Sequence, residues 1–325
     1  MIAAVPDVLR PRASSPTLVL LTTGGTIATA VGSDGIARHR SSGDDLLAAS
    51  GYGDVAVHDL MAIDSAEMTP QHWQQIAAAL RGHIASGATG VVIAHGTDTL
   101  EETALWLALT CAVPVPVVLT GAQRSGDHPE PDGPGNLRDA LAVAASGEAL
   151  GVVVCFAGEV YPALGIRKVD LAAPAGFAGV APIGRVRDGV FIRSGDAPSA
   201  FLGTVTHGAL PRVDIVSLYP GADAVALESY VRAGAQGLVL ESMGAGNAND
   251  VVIESVSRQV ADGTRVLVTT RVPGGALAPG YAPGQKLIDA GAVMVPRLRS
   301  GQARVLLMAA LATGSDLVSV VERLG

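Results

Sequence analysis

The sequence predicts an α/β protein of two parallel-sheet domains. The larger, N-terminal one is a doubly wound, mostly parallel sheet, and the smaller lies C-terminal. Three observations predict this. Short Val- and Leu-rich runs recur without polar alternation, as in strands buried on both faces. Most of these runs are followed by segments with helical apolar spacing. One Gly-, Pro- and Ser-rich stretch, 195–212, interrupts the alternation, which then resumes.

The elements follow in order. Residues 1–16, with three Pro and two Ser, read as a flexible tail. Strands are expected at 17–21, 55–61, 90–94, 115–119 and 152–156. The helix at 70–84 has Trp73, Ile76, Ala77 and Leu80 on one face and Thr69 as its N-cap. A second helix, 99–111, carries Glu101 and Glu102 in its first turn, where the helix dipole favours anions. A third spans 136–145. The N-terminal domain is thus 17–194, the linker 195–212 and the C-terminal domain 213–325. The latter is expected to hold strands at 213–218, 237–240 and 266–270, and helices at 222–233, 250–261, 302–312 and 315–324.

Composition excludes several function classes. The chain has 325 residues, 49% hydrophobic and 16% charged, with a net charge of −8. That is too apolar for a disordered chain. No basic stripe is present and aromatics are 3%, which argues against a nucleic-acid partner. The longest uncharged stretch, 103–123, is broken by Thr110, Pro114 and Pro116, so it reads as helix, turn and strand rather than a membrane span. Asp7, Arg10 and Arg12 interrupt the N-terminus and the apolar run 18–21 is too short for a signal-peptide core, so a cytoplasmic protein is expected. Cys111 and Cys155 sit in apolar runs and read as small buried hydrophobes. No His/Cys/Asp/Glu spacing suits a metal, and neither a P-loop nor a G-x-G-x-x-G turn is present, so no cofactor is expected.

Ligands of open α/β sheets bind beyond the carboxyl ends of the strands. There the chain places Thr22-Thr23-Gly24-Gly25-Thr26, then Asp64-Ser65-Ala66-Glu67, then His95-Gly96-Thr97-Asp98-Thr99, then Thr120-Gly121-Ala122-Gln123-Arg124. Hydroxyls, carboxylates and glycines converge on one edge, which suits a small polar ligand. Asp98, three residues before Glu101, also has the spacing of a capping box. His95 reads as a structural histidine. Only two of the 22 basic residues are lysines, Lys168 and Lys286. Unlike Arg, a desolvated Lys can lose its proton and act as a base. Lys168 follows the fifth strand and is the candidate base; Lys286 reads as surface. Hydroxyl nucleophiles, a lysine and a neighbouring carboxylate fit acyl transfer by a threonine.

At these residues the chain resembles the asparaginase/glutaminase family of bacterial amidohydrolases. Leu21-Thr22-Thr23-Gly24-Gly25-Thr26-Ile27-Ala28 is similar to the family's first signature. Gly90-Val91-Val92-Ile93-Ala94-His95-Gly96-Thr97-Asp98-Thr99-Leu100 is similar to its second. The resemblance continues through Lys168, Gly244-Ala245-Gly246-Asn247, Arg271-Val272-Pro273 and Ala303-Arg304-Val305-Leu306-Leu307. It implies hydrolysis of L-asparagine to L-aspartate and ammonia, with Thr23 as nucleophile. Thr97, Lys168 and Asp98 would form a second hydroxyl–amine–carboxylate group. Ser65 and Asp98 would hold the amino-acid head, and backbone near Ala122 the side-chain amide. It also implies a homo-oligomer, dimer or tetramer, with sites at subunit interfaces and Asn247 reaching the ammonium from a neighbour.

The chain departs from the family at three places. The first lid, 30–45, lacks the family's tyrosine, with Ile36 near its place; no Asp or Glu lies between Arg271 and Leu287; and Ala66 stands where secreted members carry Gln. Tyr281 sits close to the expected position of the missing acid, and Tyr281-Ala282-Pro283-Gly284 is more similar to the cytoplasmic branch. A hydroxyl from Tyr281 of a partner copy is expected in the cleft. Glutaminase or mixed specificity remains open, as does a non-catalytic amino-acid sensor. A transfer-RNA-dependent amidotransferase component shares both signatures but would need room for an N-terminal domain, and only 16 residues precede the first strand.

Overall fold

The computed structural model describes residues 17–31, 37–205, 208–278 and 280–325. The expected tail and Ile36 lie outside them. The strands of the larger domain are β1 (Leu18–Gly24), β2 (Thr29–Val31), β3 (Ala37–His39), β4 (Val55–Ile63), β5 (Gly90–Ala94), β6 (Val117–Thr120), β7 (Val152–Phe156), β8 (Glu159–Pro162), β9 (Arg167–Lys168), β10 (Phe177–Ala178), β11 (Gly184–Arg187) and β12 (Val190–Arg193). Its helices are α1 (Gly43–Ser50), α2 (Pro70–Ala85), α3 (Leu100–Thr110) and α4 (Gly133–Ala145). The smaller domain holds β13 (Val213–Ser217), β14 (Gly237–Ser242), β15 (Arg265–Thr270) and β16 (Val293–Met294). Its helices are α5 (Val225–Arg232), α6 (Asp250–Ala261), α7 (Ala282–Asp289), α8 (Ser300–Thr313) and α9 (Leu317–Leu324).

One eight-stranded sheet runs β12-β11-β8-β7-β6-β5-β1-β4 among the described residues. Its β4, β1, β5, β6 and β7 are parallel. The second sheet, β13-β14-β15-β16, is parallel throughout. The chain leaves β1 for β4 on one side and returns to β5 on the other. The strand order therefore reverses at β1, which makes the carboxyl end of β1 the switch point where a ligand crevice opens.

The continuous apolar strands are explained by burial on both faces. Val19, Leu21, Val91, Ile93, Val117 and Leu119 join one core with Trp73, Ile76 and Leu80 of α2 and the apolar side chains of α3. Their neighbours Leu18, Leu20, Val92, Ala94 and Val118 face the opposite way, against Leu137, Ala140 and Leu141 of α4. Successive side chains alternate between the two faces, so each strand must be apolar at nearly every position. Val305, Leu306, Leu307, Met308, Ala309 and Ala310 of α8 are all buried, because α8 lies between α3 and the second sheet. A helix apolar on all sides is one packed on all sides. The far face of the second sheet packs on Leu227, Val252, Val256 and Leu287 of α5, α6 and α7.

The structure differs from the expectation in several places, beginning with the short strands β2, β3, β9, β10 and β16, none of them expected. β8, β11 and β12 form an antiparallel edge on the first sheet, where no strands are expected. Their hairpins turn on Ala157-Gly158 and Asp188-Gly189, all with positive φ, the left-handed pair that a two-residue hairpin turn requires. Asp-Gly is a readable signal for that turn. Helices α1 and α7 are likewise unexpected; α1 is fixed by a capping box in which Ser42 and Asp45 satisfy each other's backbone. Finally, Asp98 does not cap α3. The N-cap is Thr99, with no side-chain capping bond, because the Asp98 carboxylate is drawn to Lys168 instead.

Candidate active site

Three neighbouring strands, β4, β1 and β5, deliver the candidate residues. β1 ends in Thr22-Thr23-Gly24, β4 is followed by Asp64-Ser65, and β5 by His95-Gly96-Thr97-Asp98. The loops approach so closely that only glycine fits between them. A Cβ on Gly25 would lie 2.3 Å from the Gly96 Cα, and one on Gly96 would lie 2.6 Å from the Ser65 Cβ and Oγ. Gly24 and Gly25 also have positive φ, 101° and 84°. The glycines of both motifs therefore stack the ends of β1, β5 and β4 in contact. Gly121, after β6, continues the layer: its Cβ would meet the His95 carbonyl at 2.4 Å and the Thr97 Cγ2 at 3.2 Å. Ala122 follows it and is buried.

A cavity of about 340 Å³ opens over this edge, lined by Gly25, Thr26, Thr29, Arg38, Ser65, Thr97 and Asp98, with Ala62, Ile63 and Asp64 at one side. A larger, mainly apolar cavity of about 680 Å³ lies near the amino ends of β6 and β7, beside Cys111, Leu150 and Phe201. It gathers no converging polar groups, so the smaller one is the better candidate.

Lys168 reaches the edge from β9. Its Nζ donates to Thr97 Oγ1 at 2.9 Å and to Asp98 Oδ1 at 2.7 Å. The lysine side chain is 17% exposed and the Asp98 side chain 60%. One face of the Asp98 carboxylate is thus open to a ligand while the other holds the amine. Ser65 is buried, and its Oγ accepts the Asp98 N–H at 3.2 Å. The Thr99 hydroxyl donates to the Ser65 carbonyl at 2.8 Å, which ties the β4 loop to the β5 loop.

Thr23 is 1% exposed, and its hydroxyl donates to the Ala94 carbonyl at 3.1 Å. It is not among the residues that line the cavity, although Gly25 and Thr26 of the same segment are. Asn247 and Tyr281 are on the C-terminal domain, outside that lining; Asn247 closes a tight turn on Met243, and Tyr281 is 68% exposed at the start of α7. The chain by itself brings together Thr97, Asp98, Lys168 and Ser65, buries Thr23 two residues before the cavity-lining Gly25, and leaves Asn247 and Tyr281 apart.

His95 is fully buried and structural. Its Nδ1 donates to the Gly96 carbonyl at 2.7 Å, and its Nε2 accepts from Thr103 Oγ1 at 3.0 Å. That hydroxyl in turn accepts the Trp73 indole N–H at 2.9 Å. Every group is satisfied only with a neutral ring, and burial lowers the His95 pKa to about 4. Both cysteines are buried and free, and burial pushes the Cys155 thiol up. Lys286 pairs with Asp250 on the surface.

Two contacts are not anticipated from sequence. Glu101 Oε2 accepts the backbone N–H of Lys168 at 2.5 Å. Burial, reinforced by Glu102 beside it, raises the Glu101 carboxyl to about 8. Gln302 of α8 is buried, with its amide directed at the segment that carries Lys168. The signals are present: two glutamates open a helix whose remaining residues are nearly all apolar, and a lone Gln begins another. Arg38 stands in the cavity wall, and nothing in its sequence context marks it.

Among the described residues, no group of three or more His, Cys, Asp and Glu side chains is placed to hold a metal, and no helix is long and apolar enough to cross a membrane.

Comparison with known proteins matches residues 17–197 to the N-terminal asparaginase domain and residues 212–323 to the glutaminase/asparaginase C-terminal domain. A probable L-asparaginase of Deinococcus radiodurans is 35% identical over 94% of this chain and 95% of its own length. A component of the glutamyl-tRNA(Gln) amidotransferase of Halobacterium salinarum is 32% identical over 93% of this chain and 76% of its own length. The crystal structure of a probable cytoplasmic L-asparaginase from Campylobacter jejuni superposes with a TM-score of 0.85 at 29% identity, covering 95% of this chain and 99% of that one. The thermostable L-asparaginase from Thermococcus kodakarensis gives 0.82 at 28% identity, covering 95% and 96%. Both domains, in this order and on this fold, place the chain in the asparaginase family of amidohydrolases.

Proposed function

We propose that the protein is an L-asparaginase that works through a threonyl ester. The observation that carries this reading is the Thr97–Lys168–Asp98 group, joined at 2.9 and 2.7 Å, with Thr97 and Asp98 lining a small polar cavity that Gly25 and Thr26, just after Thr23, also line. The Thr23 Oγ attacks the side-chain carboxamide carbon of L-asparagine. The hydroxyl proton passes, directly or through a water, to the amide nitrogen, which leaves as ammonia as its bond to carbon breaks. The product of this step is a β-aspartyl ester of Thr23. A water then attacks the ester carbon. Lys168 takes that water's proton directly or through Thr97 and passes it to the Thr23 Oγ, which regains its hydroxyl as L-aspartate departs.

The resting Thr23 hydroxyl faces a carbonyl, which is no base. Attack therefore requires a χ1 rotation toward the cavity. Asp98 suits the substrate ammonium, and Ser65 with neighbouring backbone N–H groups suits its carboxylate. Asn247 and Tyr281 enter the site only from another copy of the chain, so the active form is a dimer or tetramer. The same reading places the enzyme in the cytoplasm, with domains at 17–194 and 213–325 joined by 195–212.

Specificity between asparagine and glutamine rests on one methylene, about 1–3 kcal/mol. Ammonia and amino-acid product are measured with L-asparagine and L-glutamine in turn. The expected result is stoichiometric L-aspartate and ammonia, with asparagine the faster substrate. A folded protein that releases ammonia from neither would move the reading to an amino-acid sensor, and a faster rate with glutamine would move it to a glutaminase.

A further inference from the structure

Lys168 is not held by either large sheet. It sits on a two-residue strand paired only with β10, where Phe177 opposes Lys168 and Ala178 opposes Arg167. The Val169 N–H turns toward β10 and donates to the Gly176 carbonyl at 2.8 Å. Adjacent N–H groups of a strand point in opposite directions, so the Lys168 N–H points away from β10, and Glu101 Oε2 accepts it. Residues 97–101 thus grip Lys168 at both ends: Thr97 and Asp98 at its Nζ, Glu101 at its backbone.

Gln302 fixes the same segment from the C-terminal domain. Its Oε1 accepts the Gly165 N–H at 2.7 Å, and its Nε2 donates to the Ala163 carbonyl at 2.8 Å and to the Glu101 carbonyl at 3.1 Å. One buried amide therefore joins the start of α3 to the approach of β9. We infer that Glu101 and Gln302 are positioning residues for Lys168, and that the C-terminal domain sets the lysine of its own chain through Gln302. Loss of either tether frees the backbone that aims Nζ at Thr97, while Thr23, Ser65 and Asp98 keep their own supports on β1, β4 and β5. The effect belongs in kcat more than in KM. The inference rests on the role proposed above for Lys168.

The test has an activity arm and an independent arm. Lys168 and Lys286 are the only lysines, so lysine labelled with 13C at Cε gives one reporter at the site and one surface control. Glu101→Leu, Glu101→Gln and Gln302→Met are compared with wild type. Displacement of a reacting group by about 1 Å costs up to ~100-fold. Glu101→Leu and Gln302→Met are therefore expected to lower kcat for ammonia release from L-asparagine by about 10–100-fold, to leave KM nearly unchanged, and to move the Lys168 resonance but not that of Lys286. Glu101→Gln, which keeps an acceptor, is expected to restore most of kcat. The Glu101→Leu/Lys168→Met pair is expected to be no slower than Lys168→Met alone. Unchanged kcat with an unmoved Lys168 resonance in either folded variant overturns the inference, and if Glu101→Leu fails to fold, Gln302→Met decides it. A wild type inactive on asparagine and glutamine sinks the asparaginase reading alone, because the resonance still reports whether the tethers set Lys168.

Discussion

Thr23 and Lys168, the two groups assigned to the proposed reaction, are positioned by opposite means. Thr23 belongs to β1, a central strand with parallel neighbours on both sides and apolar side chains buried in two cores. Its place follows from the sheet. Lys168 belongs to a two-residue strand beside the main sheet, and its place depends on the Glu101, Gln302 and Gly176 contacts. A side chain can thus inherit its position from the fold or be tethered to it by a few buried polar side chains. The first kind tolerates changes elsewhere. The second is exposed to them, because each tether is only one to three hydrogen bonds.

The sharpest way to break the comparison is at the two groups proposed to react. Thr23→Ala is expected to abolish turnover, a loss of at least about 10³–10⁴, with the fold intact by circular dichroism. Lys168→Met is expected to come next, losing about 10²–10⁴ of kcat. Near-wild-type ammonia release in this variant would remove Lys168 from the reaction. Gly25→Ala tests the support under Thr23. Its methyl would lie 2.3 Å from the Gly96 Cα at a φ of 84°, so about 2–4 kcal/mol of stability should go, with a lower melting temperature. An unchanged melting temperature would show that the strand ends are not packed as described.

The pH dependence gives a smaller effect. His95 is neutral when folded, its pKa lowered from 6.5 to about 4. The unfolded chain binds the proton first, so the stability His95 contributes is fully present above 6.5 and is lost as pH falls from 6.5 toward 4. The difference amounts to about 3 kcal/mol at most. Urea unfolding of His95→Asn should therefore lose less stability than wild type over that interval, whereas parallel pH curves would mean that His95 is not held neutral. Tyr281→Phe is expected to have the smallest effect, a several-fold loss in kcat/KM for asparagine. An unchanged value would remove the Tyr281 hydroxyl from the site.

The difference between the two regions also decides what can be read from sequence. The strand carrying Thr23 is an uninterrupted apolar run ending in Thr-Thr-Gly-Gly, and such runs report burial on both faces. Thr97 and Asp98 follow β5, a strand of the same kind, and Ser65 follows β4, a partly buried strand interrupted by His58 and Asp59, so their shared edge is legible from the alternation of strands and helices. The antiparallel edge is not, because β8, β11 and β12 are four residues each and alternate weakly. The surroundings of Lys168 are the least legible. Glu101 and Gln302 lie 67 and 137 residues from the backbone groups they hold. Local propensity explains Glu101 equally well by the helix dipole, and only the packing of α3 on α8 shows what the carboxylate and the amide do.

The most direct test of the threonine mechanism is ammonia release from L-asparagine by wild type and by folded Thr23→Ala, measured side by side. The predicted result is steady release by the wild type and none above background by the variant. Release at a comparable rate from Thr23→Ala would contradict the mechanism and would place the nucleophile elsewhere on the edge.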